Sequence, residues 1–406
     1  MKKTIAILST LDTKGDETAF LCAELKRLGP EPLVLDIGVV GTPGFTAGVS
    51  RESLAQAGGT PLEKLLEDPD RETASPVMVA GAIAELTQRV KRGEVHGVIG
   101  LGGTQGTTSC TAVMRALPYG LPKVMVSTIA AGDMTPFVGV KDITMMFSVS
   151  DILGLNPFMR RVLASAAGAA WGMSLAEQTP ITAPGEKPLV AMTNLGVLTD
   201  GARIAIDAFR EAGYETIVFH AVGSGGRAME EMMHSKIVGA VFDYALGEIA
   251  DEVFHGLRAG GSERLTVAGK LGLPQVLCPG GTEHIGVLCQ PHVVPDEWKR
   301  NKHVFHSPII AAPRLTGEQM RMVAREIARR LENTKGDAYF FFPRGGMSRY
   351  ATADGPLYDP ESDAAFYDEL SQHLPKTVEI VESDLHAEDP RFVREAVSRL
   401  VSLMER

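Results

Sequence analysis

Positive charge is in short supply: 40 lysines and arginines stand against 50 aspartates and glutamates in 406 residues, a formal net charge of −10. The basic residues form only short local clusters, so no nucleic acid is expected as a partner. Long apolar runs are missing too. No stretch reaches the roughly 18 residues needed to span a bilayer, and no membrane partner is expected. Met1 to Asp12 begins like a signal peptide, but its apolar part is short and Asp12 interrupts it, so it reads as the first strand of a cytoplasmic protein. Cysteine is scarce, and Cys22, Cys110, Cys278 and Cys289 form neither a C-x-x-C pair nor an evident disulfide framework. A reducing compartment follows. With 44% apolar and 22% charged residues, the chain buries a large core and divides into at least two domains.

What is present centres on Val95-His-Gly-Val-Ile-Gly-Leu-Gly-Gly-Thr-Gln-Gly-Thr-Thr-Ser109, an apolar run that stops at glycines and turns into hydroxyl residues. It reads as a buried strand ending in a phosphate cradle. Gly102, Gly103 and Gly106 let an anion approach the main chain, while Thr104, Thr107 and Thr108 add donors at the start of a helix near Thr107. A ligand-free glycine turn is the plain alternative. The loop lacks the Lys-Ser/Thr ending of a Walker loop and the G-x-G-x-x-G spacing, which argues against a P-loop ATPase and against an NAD dehydrogenase.

An internal repeat organises the rest. Strand Thr4 to Ser9, a polar loop, a helix with Phe20, Leu21, Leu25 and Leu28 at helical spacing, Gly29 and strand Leu33 to Ile37 form a βαβ unit. Strand Leu189 to Thr193, helix Asp200 to Ala212, Gly213 and strand Thr216 to His220 repeat it at a fixed offset of 184 residues. The expected fold is α/β: two similar doubly wound, Rossmann-like, mostly parallel-sheet domains from an internal duplication, over 1–180 and 181–406. Thr179 to Lys187 reads as the linker, and the Ala/Gly-rich helix Ala164 to Met173 as a domain or subunit contact. Residues 41–75 read as an insertion that covers a site.

Ligands of such sheets sit at the carboxyl ends of strands. Thr10, Asp12, Thr13 and Lys14, and Ser127 and Thr128, end two strands beside the glycine loop. Lys14 is the expected phosphate cation, and Asp12, Asp133 or Asp151 would hold Mg2+; each carboxylate is equally suited to capping a helix. In the second half, Gly223, Ser224, Gly225, Gly226 and Arg227 follow a strand as a backbone nest with a guanidinium, suited to a carboxylate or phosphate of a substrate, or Arg227 is a salt-bridged first-turn residue. His220, Glu283 and His284 are candidate proton movers; metal binding by Glu283 and His284 with a further histidine is the other option, and a buried hydrogen-bonded role is open for His220.

Gly100-Leu-Gly-Gly-Thr-Gln-Gly-Thr-Thr108, Leu117 to Thr128, Val218-Phe-His-Ala through Gly-Gly-Arg-Ala-Met-Glu230 and Leu357-Tyr-Asp-Pro-Glu361 resemble, nearly end to end, the family of the plant Tm tobamovirus-resistance protein, which has many bacterial members. The resemblance implies ATP and Mg2+ in the first domain and a homo-dimer or tetramer. Plant relatives add a TIM-barrel-like domain that a separate partner protein would supply here. The chain departs from the family pattern at Gly281-Thr-Glu-His-Ile-Gly286 and at Arg344-Gly-Gly-Met-Ser-Arg-Tyr350, which points to a different substrate. The expected function is an ATP- and Mg2+-dependent phosphotransferase or ligase acting on a small anionic metabolite at the interdomain cleft. A nucleotide-gated protein-binding module without turnover, and an isomerase or lyase of a phosphorylated sugar or acid, are the alternatives.

Overall fold

The computed structural model describes residues 2–176 and 187–406, which form two compact units, Met1–Thr179 and Pro180–Arg406. Of the expected linker only Lys187 lies within the described residues.

In the first unit the elements run β1 (Thr4–Ser9), α1 (Gly15–Leu28), β2 (Glu31–Asp36), α2 (Arg51–Ala57), α3 (Leu62–Glu67), α4 (Arg71–Lys91), β3 (Val98–Gly102), α5 (Thr104–Ala116), β4 (Lys123–Ser127), α6 (Thr135–Val138), β5 (Thr144–Phe147) and α7 (Pro157–Leu175). The five strands pair in parallel in the order β2-β1-β3-β4-β5. Strands covered by helices on both faces read as continuous apolar runs, and Ile5 to Leu8 and Val124 to Val126 are fully buried accordingly.

One detail differs from the sequence expectation. Helix α5 begins at Thr104, three residues before the expected start, because the chain enters helical geometry directly after Gly103. The segment 41–75 contains α2, α3 and the start of α4: Asp70 caps α4 through the N–H groups of Glu72 and Thr73, and the helix accommodates Pro76 in its second turn. Helix α7 packs its small residues Ala166, Ala167 and Ala170 against α1 and β4 of its own unit.

The second unit runs β6 (Leu189–Asn194), α8 (Thr199–Glu211), β7 (Thr216–His220), α9 (Ser224–His234), β8 (Val238–Ala245), α10 (Gly247–Phe254), α11 (Val267–Leu271), β9 (Gln275–Gly280), β10 (Val287–Leu288), β11 (His303–Ser307), β12 (Ile310–Pro313), α12 (Gly317–Leu331), β13 (Ala338–Pro343), α13 (Pro360–His373), β14 (Val378–Ser383) and α14 (Pro390–Met404). Its large sheet has the order β14-β13-β9-β8-β6-β7, all parallel, and β10-β12-β11 form a small antiparallel sheet. From β7 through β13 this order matches the first sheet strand for strand, as a duplication requires. Phe392, Ala396, Leu400 and Leu403 of α14 are all buried, the face that their spacing sets. Among the described residues no helix is long and apolar enough to cross a membrane.

Candidate functional site

In the first unit the loops after β1, β2 and β3 enclose a cavity of about 370 Å3. Thr10, Asp12, Thr13 and Lys14 line it from β1, and Gly102, Gly103, Thr104 and Gly106 from β3. Pro69, Ala74 and Ser75 close it from the inserted segment, and Gln105 Nε2 donates to Ser75 Oγ at 3.0 Å. This is the topological switch point of the sheet, where β1 and β3 are neighbours and their connections leave in opposite directions.

The end of α5 at this cavity has no side-chain cap, so its first-turn N–H groups and positive dipole end face the cavity side. A Cβ at Gly102 would lie 2.7 Å from the Gly106 Cα, so glycine is what lets the strand end and the first helical turn touch. Lys14 lines the cavity and makes no ion pair among the described residues. Asp12 Oδ1 is buried without a hydrogen-bond partner among those residues. A carboxylate oxygen left that way at a cavity wall is suited to a cation or hydroxyl donor.

Other expected residues stand behind the cavity rather than in it. Thr107 and Ser127 are fully buried and their hydroxyls bond each other at 2.7 Å, while Thr108 Oγ1 donates to the Thr104 carbonyl. Thr128 N–H donates to the Gly102 carbonyl at 3.3 Å and so ties β4 to the loop. Asp133 stands just before α6: its Oδ1 accepts from Thr135 N–H at 2.9 Å, and the Thr135 hydroxyl and N–H hold its carboxyl below the usual range. Asp151 is exposed and does not line the cavity. Of the three carboxylates expected at Mg2+, the cavity brings in Asp12. Mg2+ keeps several waters and binds through one or two carboxylates, so Asp12 is the residue of the three that would fit such an ion.

In the second unit the glycine nest is filled by the protein itself. Glu248, fully buried, accepts from Gly223 N–H at 2.5 Å and Gly226 N–H at 3.1 Å. Its other oxygen accepts from Arg264 Nε at 2.7 Å, and Arg264 forks onto Asp243. Burial pushes the neighbouring Glu230 carboxyl up to about 7 against the pull of Arg264. Ser224 and Arg227 are exposed, Gly225 lies against the His220 carbonyl, and Arg227 Nε donates to the Gly223 carbonyl. Of the expected substrate cradle, Gly223 and Gly226 thus give their N–H groups to an internal carboxylate, while Ser224 and Arg227 stay at the surface.

A separate cavity of about 460 Å3 gathers the proton movers at the strand ends of this unit. His220, His284, His306, Arg258 and Tyr350 line it with an otherwise apolar wall including Leu195, Val197, Val222, Leu257, Ile285 and Ile310. His284 Nδ1 is 3.0 Å from Glu283 Oε1, which also accepts from the Ser348 hydroxyl. Burial alone would raise the Glu283 carboxyl, but His284, Ser348 and Arg314 together bring it down to about 2. His220 is exposed, with Nδ1 3.3 Å from the Asn194 carbonyl. Among the described residues no three His, Cys, Asp or Glu side chains group as metal ligands. Cys278 is fully buried and burial pushes its thiol well above the ordinary range, so it is not a reactive thiol.

Three residues here had no motif to announce them. Arg258 is locked by Asp251, with Nη2 at 2.7 Å and Nε at 3.0 Å from Oδ2. Ser348 and Tyr350 lie in the loop after β13, and Glu283 and His284 in the stretch after β9; the fold brings the two together.

Family profiles match across both units: the N-terminal domain of Uncharacterised protein family (UPF0261) over residues 3–179 and its C-terminal domain over 187–404. The chain belongs to the UPF0261 family. A UPF0261 protein of Clostridium tetani is 37% identical over the whole of both chains, and one of Brucella melitensis is 32% identical over 97% of this chain and 94% of that protein. The ToMV resistance protein Tm-1 of Solanum lycopersicum is 32% identical over 68% of this chain, a match that covers 37% of the tomato protein. A solved UDP-N-acetylglucosamine 2-epimerase aligns over 96% of the UPF0261 chain and 94% of its own at 11% identity, but its TM-score of 0.21 assigns neither fold detail nor substrate.

Proposed function

We propose that this UPF0261 protein binds ATP with Mg2+ in its first unit and uses it to act on a small anionic metabolite. The observation that carries the reading is the cavity where the uncapped N-terminus of α5 meets Gly102, Gly103, Gly106, Lys14 and the unpartnered oxygen of Asp12. Main-chain donors take the phosphates, Lys14 neutralises their charge, and Asp12 takes the metal directly or through water. Phosphoryl transfer needs chiefly position and charge stabilisation, which such parts supply. The second unit contributes acid–base chemistry through His284, oriented by Glu283. A cytoplasmic homo-oligomer belongs to the same reading.

Calorimetry of the full chain with Mg-ATP tests it. The expected result is heat with a dissociation constant tighter than about 1 mM, roughly 4 kcal/mol or more of binding free energy. No heat above that range overturns the nucleotide half.

A further inference from the structure

We propose that the second unit carries its own proton-transfer site for a carbonyl compound with an apolar body, with His284 as the base and Arg258 as the oxyanion donor. The inference rests on reading the second unit as an acid–base centre and is independent of nucleotide binding.

Three observations carry it. The first is the fixed tautomer of His284. Its Nδ1 faces Glu283 Oε1 at 3.0 Å, and that carboxylate is fully buried and already accepts from Ser348. An ionised carboxylate only accepts, so Nδ1 carries a proton, and in the neutral ring the lone pair is the one on Nε2.

The second is Arg258 beside that lone pair. Its Nε and Nη2 are engaged by Asp251, and Nη2 also donates to the His284 carbonyl at 2.7 Å. Nη1 remains, 3.4 Å from His284 Nε2. That length is at the far limit of a hydrogen bond, so both atoms are cheap to redirect to a ligand. A base and a cationic donor are thereby held side by side at one cavity wall, by groups that do not themselves line it.

The third is the wall itself. Leu195, Val197, Val222, Leu257, Ile285 and Ile310 enclose the space around the pair, and the nearby nest that a phosphate ester would use is closed by Glu248. The cavity therefore favours an apolar body, with His220, His306 and Tyr350 as its other polar lining and the Arg258 guanidinium beside the base.

The step that follows is enolisation. His284 Nε2 takes the proton on the carbon next to the carbonyl. The C–H electron pair becomes the C=C bond of an enolate, and the charge on oxygen meets Arg258 Nη1. Return of the proton from the imidazolium restores the ketone, and exchange of that imidazolium proton with water exchanges the hydrogen. No oxidant, reductant or co-substrate enters.

The test is deuterium incorporation in D2O, followed by proton NMR, with the full chain and no nucleotide. The probes are 4-methyl-2-pentanone, cyclohexanone and phenylacetone, with dihydroxyacetone phosphate as the phosphorylated comparison. The expected result is at least tenfold faster exchange of one or more apolar ketones than with an equal concentration of imidazole. His284→Gln, which keeps an amide for Glu283, returns the rate to background while the melting temperature stays within a few degrees. Glu283→Gln shifts the pH profile of exchange. No acceleration of any apolar ketone by folded wild-type protein, or equal acceleration by His284→Gln, overturns the assignment, and acceleration confined to the phosphate ester overturns the substrate class. Because nucleotide is absent, none of these outcomes bears on the calorimetric result.

Discussion

Glu248 and Gly226 are joined by a hydrogen bond of 3.1 Å from the glycine N–H to Oε1, and a Cβ at Gly226 would stand 2.1 Å from the carboxylate's other oxygen. The relationship separates the two glycine loops of this protein. The loop of the second unit closes on an internal anion, whereas the α5 end in the first unit has no side-chain cap.

Gly226→Ala is accordingly expected to break the Glu248–Arg264 arrangement and cost about 3–5 kcal/mol, the scale of a disrupted buried ion pair. Arg227→Ala, at an exposed position, stays within about 0.5 kcal/mol of wild type. Urea unfolding of the two variants measures both.

Lys14→Ala removes the cavity's cation from a site where it supports no ion pair. Affinity for Mg-ATP falls by about tenfold or more, the worth of a charge-assisted hydrogen bond, with the melting temperature unchanged. Calorimetry beside a thermal melt separates the two effects.

Gly102→Ala acts on both fold and site, because its Cβ meets the Gly106 Cα at 2.7 Å and the first turn of α5 must move. A loss of about 1–3 kcal/mol in stability accompanies a loss of nucleotide binding larger than stability alone explains. Affinity measured well below the melting temperature checks this.

Glu283 gives the pH dependence its sign. Its carboxyl ionises at about 2 in the folded chain, below the ordinary 4.5, so its contribution to stability is complete above about 4.5 and is lost as pH falls toward 2. The difference in unfolding free energy between wild type and Glu283→Gln therefore shrinks as pH falls from about 4.5 toward 2. Denaturant titrations across that range report it.

The βαβ repeat was legible because an offset of 184 residues keeps strand, helix and glycine stop in step, and local periodicity sets all three. The β1 and β3 loops that line the first unit's cavity were legible for a similar reason, since strand ends rich in Gly and Thr announce themselves. The glycine nest misled because its filling comes from Glu248, whose distance from the nest along the chain no motif spans. Arg258 was silent for the same cause: its role exists only once Asp251 and His284 are folded around it.

Amide hydrogen exchange of the full chain with and without Mg-ATP tests the central claim most directly. The account predicts slowed exchange in residues 10–14 and 102–106, with residues 223–227 unchanged. Unaltered exchange at 102–106 under saturating Mg-ATP, or protection that appears at 223–227 instead, would contradict it.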